Sequence, residues 1–143
     1  MGQQIKENLD LFNLIKEKGH TIGNHTYSHR NGMILSKKKY LSEIDNCNKY
    51  MPENKLFRPP YGKIRPDQIK KIIKNYRIIM WDIMSWDFKK NKSPNVIKKN
   101  VLNNISNGSI IVFHNNTKSF NCLSVVLEDI ISEMISKGFS FSA

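Results

Sequence analysis

The feature that most restricts what this chain can fold into is an alternation. Short apolar runs recur between amphipathic segments along its whole length. Ile78-Ile79-Met80-Trp81 and Ile110-Ile111-Val112-Phe113 are apolar at every position, and a strand that is apolar on both sides has to be covered on both sides. The segments between such runs carry apolar residues at helical spacing. Strands that alternate with helices pair in parallel, because each crossover returns the chain to the same end of the sheet. The alternation therefore predicts an α/β fold, a parallel sheet covered by helices.

Taken in order, residues 6–18 read as a helix with Leu11, Leu14, Ile15 and Lys18 at helical spacing, stopped by Gly19. A strand follows at 20–24. Ser36 caps a helix to Met51, with Tyr40, Ile44, Cys47 and Met51 on one face and Pro52 beyond its end. Residues 56–58 form a short strand running into Pro59-Pro60-Tyr61-Gly62, which is not regular structure. A helix carrying Ile69, Ile72 and Ile73 starts near Pro66, and residues 77–82 make the next strand. Ser93-Pro94 is a cap followed by a first-turn proline; it opens a helix with Ile97, Val101, Leu102 and Ile105 inward, closed by Gly108. The strand at 110–113 ends at His114. A helix over 123–137, stopped by Gly138, and a strand at 139–141 complete five strands.

In parallel α/β folds chemistry gathers where strands end and turn into loops. His25, Arg58, Asp82 and His114 each fall at or just after the end of an expected strand, so their loops are expected to converge on one rim. His25 and His29 are four apart; on a helical turn both imidazoles reach one point, and two neutral nitrogens suit a zinc-type ion. Thr26 and Ser28 can fix that turn through local backbone bonds. A pair of surface histidines has the same spacing, and a catalytic zinc needs a third protein ligand. Arg58 leads a stiff loop and can hold a carboxylate with two parallel bonds; a purely structural turn is the alternative. Residues 81–88 place two carboxylates and two indoles together, able to line a sugar cleft or simply to cover a barrel mouth. His114 ends an apolar strand, where a lone histidine is more often a hydrogen-bonded structural group than a catalyst.

Composition excludes several classes. At 143 residues the chain is one domain's worth or less. No stretch approaches a membrane span, and Met1 is followed by polar Gly2-Gln3-Gln4 rather than a secretory leader. Cys47 and Cys122 form neither a CxxC pair nor a disulfide framework, and Cys47 falls on an apolar stripe as buried filler. The net charge of +11 suggests a polyanion partner. The lysines, however, are spread over most of the expected helices, and lysine, asparagine and isoleucine abound together as in an AT-rich coding sequence. No nucleic-acid partner is expected.

The ordered set His25-x-x-x-His29, Arg58-Pro59-Pro60-Tyr61-Gly62, Trp81 through Phe88 and Ile110-x-Val112-x-His114, with the lead-in from Gly19 to Thr26, resembles the polysaccharide deacetylases that act on chitin, peptidoglycan and xylan. The resemblance covers nearly the whole chain. It implies an incomplete, distorted (β/α) barrel of parallel strands, TIM-barrel-like with fewer strands. It implies His25 and His29 as ligands of a divalent metal, zinc first among them, with Thr26 bracing their loop. Arg58 would orient the catalytic base, and the Tyr61 amide would bind the oxyanion. His114 would be the general acid, with Asp87 setting its protonation and orientation, and Trp86 would meet the substrate. The substrate implied is an N-acetylglucosamine polymer of the cell envelope, and the location implied is envelope or secreted.

The chain also departs from the family pattern. The Thr-Phe-Asp-Asp-Gly strand end, source of the base and the third metal ligand, is absent, and no Asp-Asp pair occurs anywhere. Met84 stands for the usual leading acid of the fourth motif, Phe88 for a tryptophan, and Asn115 for a common aspartate. The expectation is a single deacetylase-like domain over 1–143 that begins near the family's third strand. It is truncated at its N-terminus, or else a remnant or a carbohydrate-binding pseudoenzyme. By itself it would be inactive and poorly soluble, unless an acid such as Asp82 replaces the missing base.

Overall fold

The computed structural model describes residues 1–142. They form two compact units, residues 1–80 and 81–142.

The first unit holds helices α1 (Gly2–Glu7), α2 (Leu9–Glu17), α3 (Lys37–Asn48) and α4 (Pro66–Ile72), and strands β1 (Leu56–Phe57) and β2 (Arg77–Ile78). The single helix expected at 6–18 is two. Asn8 sits between them at φ −141°, and its side-chain amide donates to the Gln4 carbonyl at 3.0 Å, an alternative to the helical ladder that breaks it. The stripe on α2 also fails as a core stripe: Leu11 and Leu14 are exposed. Helix α3 follows its pattern. Ser36 accepts from the Lys39 amide at 3.4 Å, and Tyr40, Ile44 and Cys47 are buried. Tyr40 and Ile44 pack with Phe57 and Ile72, while Cys47 joins Ile5 and Met51. Apolar side chains such as Ile44, Phe57 and Ile72 each contribute roughly 1.5–3 kcal/mol by leaving water.

Strands β1 and β2 pair in parallel, Leu56 opposite Arg77 and Phe57 opposite Ile78. The strand expected at 20–24 is reduced to one parallel bridge, Asn24 with Phe57. The Asn24 amide donates to the Leu56 carbonyl at 2.8 Å, and the Arg58 amide donates to the Asn24 carbonyl at 2.9 Å. Phe57 is thus flanked on both sides, which explains its complete burial.

The second unit holds β3 (Ile83–Met84), α5 (Pro94–Leu102), β4 (Ile111–Val112) and α6 (Thr117–Ser136). Strands β3 and β4 are parallel, Ile83 opposite Ile111. The strand expected at 77–82 divides: residues 77–78 pair with β1, and pairing with β4 begins only at Ile83. Asp82 therefore precedes a strand rather than ending one. Helices α5 and α6 bury Ile97, Val101, Val126, Ile130 and Met134 against Ile83. Ser93 caps α5 by accepting from the Val96 amide at 3.4 Å. Helix α6 starts six residues earlier than expected because Asn116 caps it, its side-chain oxygen accepting from the Lys118 and Ser119 amides at 2.9 and 3.1 Å. The strand expected at 139–141 does not form. Gly138, at φ +86°, turns the chain so that the Phe139 amide reaches the Met134 carbonyl at 3.1 Å, and Phe139 packs back on the core. Parallel pairing is thus as expected, in two two-stranded sheets; five strands are not formed among the described residues.

Candidate functional site

His25 follows Asn24, a fully buried side chain that sets the loop. The Asn24 amide nitrogen donates to the Ile44 carbonyl at 2.9 Å, and its oxygen accepts from the Thr26 amide at 3.0 Å. Thr26 is held at φ +63° and His29 at +57°, so the segment is a tight bend and not the helical turn that the spacing suggested. Glu43 clamps the far side of the bend, accepting from both the amide and the hydroxyl of Ser28 at 2.8 Å. The Thr26 hydroxyl accepts from the Arg30 amide at 3.3 Å. The bend brings the two imidazoles together by another route than a helix would, with ring centroids 4.9 Å apart at 67°.

The tautomer of His25 is determined by its partner. Its Nδ1 lies 2.7 Å from the Arg58 carbonyl oxygen, which can only accept, so Nδ1 carries the hydrogen and Nε2 keeps its lone pair. A ligand histidine commonly has this second bond. Burial, ahead of the His29, N-terminal and Arg58 charges, lowers the His25 pKa to about 4 against the pull of the carbonyl bond. The ring is a neutral donor at ordinary pH.

The centroid spacing of the pair is that of two imidazoles on one ion. A Zn–N bond of about 2.1 Å puts each ring centroid about 3.2 Å from the metal, so two imidazoles at a tetrahedral angle have centroids about 5 Å apart. Among the described residues no group of three or more His, Cys, Asp or Glu is placed to hold a metal. His25 and His29 are therefore the candidate donors here, without a third.

Arg58 and Tyr61 belong to the same unit. The Arg58 Nε and Nη2 donate to the carbonyls of Ile79 and Met80 at 3.1 and 3.0 Å. These bonds anchor the guanidinium to the end of β2 with two of its five N–H groups. Pro60–Gly62 forms one 3-10 turn with Tyr61 at φ +60°. The exposed Tyr61 ring meets His29 edge-on, centroids 4.6 Å apart.

In the second unit the Asp87 carboxylate is completely buried. One oxygen accepts from the His114 backbone amide at 2.6 Å and the other faces His114 Nδ1 at 2.7 Å. A carboxylate can only accept, so Nδ1 carries the hydrogen and the ring is turned with Nε2 on its far side. Ser85 is buried, and its hydroxyl accepts from the Asp87 amide at 3.4 Å. Phe88 packs edge-on against His114, centroids 4.7 Å apart. Trp86 stands half-exposed at φ +64°. Lys89 Nζ lies 4.3 Å from its ring centroid, a cation–π contact. Asp82 is at the other end of β3, where its carboxylate accepts from the Ile110 amide at 2.8 Å. It caps the start of the β3–β4 pair, away from His114.

Thus the first unit brings together His25, His29, Arg58 and Tyr61, and the second brings together Asp87, His114 and Trp86. Sequence reasoning missed the positioning roles of Asn24 and Glu43. A buried asparagine next to an expected ligand was a signal for the first; nothing local marks Glu43. It also missed Gln68, wholly buried in α4, whose amide donates to the carbonyls of Gly32 and Leu35 at 2.9 and 3.2 Å and so fixes the segment after His29.

Residues 1–81 match the family model described as polysaccharide deacetylase. A peptidoglycan-N-acetylglucosamine deacetylase of Bacillus cereus is 33% identical over 99% of this chain and 54% of the relative. The chain spans about half the length of the first curated relatives it matches, 54% and 44%. A crystal structure of a peptidoglycan N-acetylglucosamine deacetylase in complex with an N-hydroxybenzamide has a TM-score of 0.92 at 30% identity, covering 99% of this chain and 69% of that one. A family 4 carbohydrate esterase pseudoenzyme from Bacillus anthracis has a TM-score of 0.84 at 26% identity, covering 97% of this chain and 50% of that one. A mutant of it with restored activity is similarly close, at 27% identity and TM-score 0.84 over 97% and 52%.

Proposed function

The chain belongs to the polysaccharide deacetylase family, and on that premise we propose that it serves metal-dependent removal of acetyl groups from an N-acetylglucosamine-type polysaccharide of the cell envelope. We read residues 1–143 as part of one deacetylase domain with a barrel of parallel strands. The observation that carries the reading is the His114–Asp87 pair, a buried carboxylate bonded to the Nδ1 side of an imidazole. That arrangement is suited to proton delivery from Nε2.

In this reading His25 and His29 hold a divalent ion, zinc being the candidate their nitrogens suit. When bound, such an ion polarises the acetyl carbonyl and makes water a stronger acid. The chain's own groups do the rest. The Tyr61 amide donates to the oxygen on which negative charge develops. Arg58, anchored to the carbonyls of Ile79 and Met80, orients the carboxylate that takes the water's proton; no acid of the described residues is assigned that task. His114 delivers a proton from Nε2 to the leaving amine, and Asp87 keeps the ring turned for it. Trp86 offers an aromatic face to the sugar.

A second reading, a carbohydrate-binding pseudoenzyme, is favoured by the two-ligand donor set and the missing Asp-Asp pair. One experiment separates the two. Acetate release from an N-acetylglucosamine tetramer is measured with added zinc, for this chain and for a version with a Thr-Phe-Asp-Asp-Gly segment supplied upstream. Turnover by the extended version alone, lost in His114→Ala with zinc still bound, supports the enzyme. No turnover by either supports the pseudoenzyme. Turnover that survives His114→Ala refutes the role given to His114.

A further inference from the structure

The second unit carries an open cleft of which the reading above uses only Trp86. It has a volume of about 560 Å³ and is lined by Trp81, Asp82, Trp86, Asn100, Asn104 and Ser109 among others. That volume lies within the roughly 300–1,000 Å³ range of ligand-sized clefts. Its position is distinctive. Asp82 and the turn before β4 belong to the starting ends of the β3–β4 pair, whereas Asp87 and His114 follow the other ends. Trp86 links the two regions: it lines the cleft and packs on Phe88 at 5.7 Å, and Phe88 in turn meets His114.

The chemistry of the lining selects a ligand class. Asn100 donates its amide nitrogen to the Met84 carbonyl at 2.8 Å, and Asn104 donates to the Asn100 carbonyl at 2.7 Å. Each bond uses one of the two N–H groups of its amide and fixes the amide's orientation, leaving a second N–H and the side-chain oxygen for a ligand. Asp82 likewise uses one carboxylate oxygen for the Ile110 amide at 2.8 Å and keeps the other. The wall therefore offers both acceptors, a carboxylate oxygen among them, and amide N–H donors beside two indoles. It suits a neutral ligand that both donates and accepts hydrogen bonds and has flat C–H faces, and the Asp82 carboxylate disfavours an anion.

We infer that this cleft is an accessory subsite for one neutral N-acetylated sugar residue of the polymer, distinct from the residue whose acetyl group meets His114. The sugar ring lies against Trp81 and Trp86, and its hydroxyls donate to Asp82, Asn100 and Asn104. The inference rests on the deacetylase-family reading for the identity of the polymer, and its test reads binding rather than turnover.

Both tryptophans of the chain line the cleft, so tryptophan fluorescence reports on it, and the part of the signal lost in Trp81→Phe separates the cleft from Trp86 beside Phe88 and His114. The full chain is titrated with an N-acetylglucosamine tetramer. The expected result is a saturable spectral change with half-saturation at about 1 mM or below. Trp81→Phe should weaken binding by about tenfold, measured by calorimetry. Asn104→Phe, at an exposed helix-end position where the fold tolerates bulk, should fill the cleft and weaken it at least as much. In a chain made active by an upstream segment, both variants should raise KM for the tetramer and leave kcat unchanged. No saturable change in the wild-type chain overturns the subsite whether or not acetate is released. Unchanged affinity in a folded Asn104→Phe variant overturns it as well. Binding of the tetramer without acetate release supports the subsite and counts against the enzyme reading alone.

Discussion

Replacing Asp87 with alanine tests the centre of the second unit. The carboxylate is completely buried and accepts two bonds, at 2.6 Å from the His114 amide and 2.7 Å on its Nδ1 side. Hydrogen bonds to a charged group contribute about 1.5–3 kcal/mol each. The backbone N–H loses its partner inside the protein, so the upper figure applies to it. The His114 side chain is 30% exposed and water can replace its partner, so the lower figure applies there. The sum is about 4.5 kcal/mol, a large share of a typical domain's roughly 5–15 kcal/mol. Urea unfolding followed by far-UV circular dichroism gives the difference, with the slope of the transition as a check on the compactness of the unfolded state. Asp87→Asn should cost less, because its one remaining oxygen still accepts one bond. It should also shift the His114 ring toward the other tautomer, visible in imidazole nitrogen chemical shifts. A loss below about 1 kcal/mol for Asp87→Ala would mean that the pair is an exposed, screened contact, and the argument for a preset His114 would fail.

Three further expectations concern the first unit. Zinc at a hundredfold excess over its Kd should stabilise the chain by about 2.7 kcal/mol; thermal shift should show the gain lost in His29→Ala and kept in His114→Ala, and a gain that survives His25→Ala with His29→Ala would place the ion elsewhere. In chelator-treated protein, His25 is held near pKa 4 against an ordinary 6.5, so between those values the unfolded chain binds a proton that the folded one does not. Stability is then full above pH 6.5 and falls as the pH drops toward 4, by about 3 kcal/mol at roughly 1.4 kcal/mol per pH unit; His25→Asn should flatten that part of the profile. Because Tyr61 is exposed and at φ +60°, Tyr61→Gly should be about 1 kcal/mol more stable than Tyr61→Ala in denaturant unfolding, and equal stabilities would refute a left-handed residue there.

The parts of the fold legible in the sequence were those governed by local chemistry. Ser36 and Ser93 cap α3 and α5 because a hydroxyl before a helical run has one obvious use. The stripe Tyr40, Ile44, Cys47 is buried as its period implies. The parts misread were decided by partners distant in sequence. An apolar run says that a strand is buried, not which neighbour it pairs with. Residues 77–82 therefore looked like one strand, although only their start finds β1 and pairing resumes with β4 at Ile83. Asn8, which splits α1 from α2, and Asn116, which starts α6 early, were local signals that were read too weakly beside the apolar periods around them.

The candidate residues were legible for a different reason than the geometry that seats them. Spacing suggested that His25 and His29 meet on a helical face. They meet through a bend in which Thr26 and His29 adopt left-handed backbone conformations. Among the described residues the non-glycine positions with positive φ are Thr26, His29, Tyr61 and Trp86, and every one lies in a segment that carries a candidate residue of its own unit. Each costs of order 1 kcal/mol or more and persists only where surrounding bonds over-determine it. Those bonds are present: Asn24 and Glu43 hold the histidine bend, and Ser85 with Asp87 holds the segment around Trp86. Side chains that give up helical or strand geometry in this way are aimed by tertiary contacts and not by local preference. The sequence could therefore name them, but only the fold could show how they are turned.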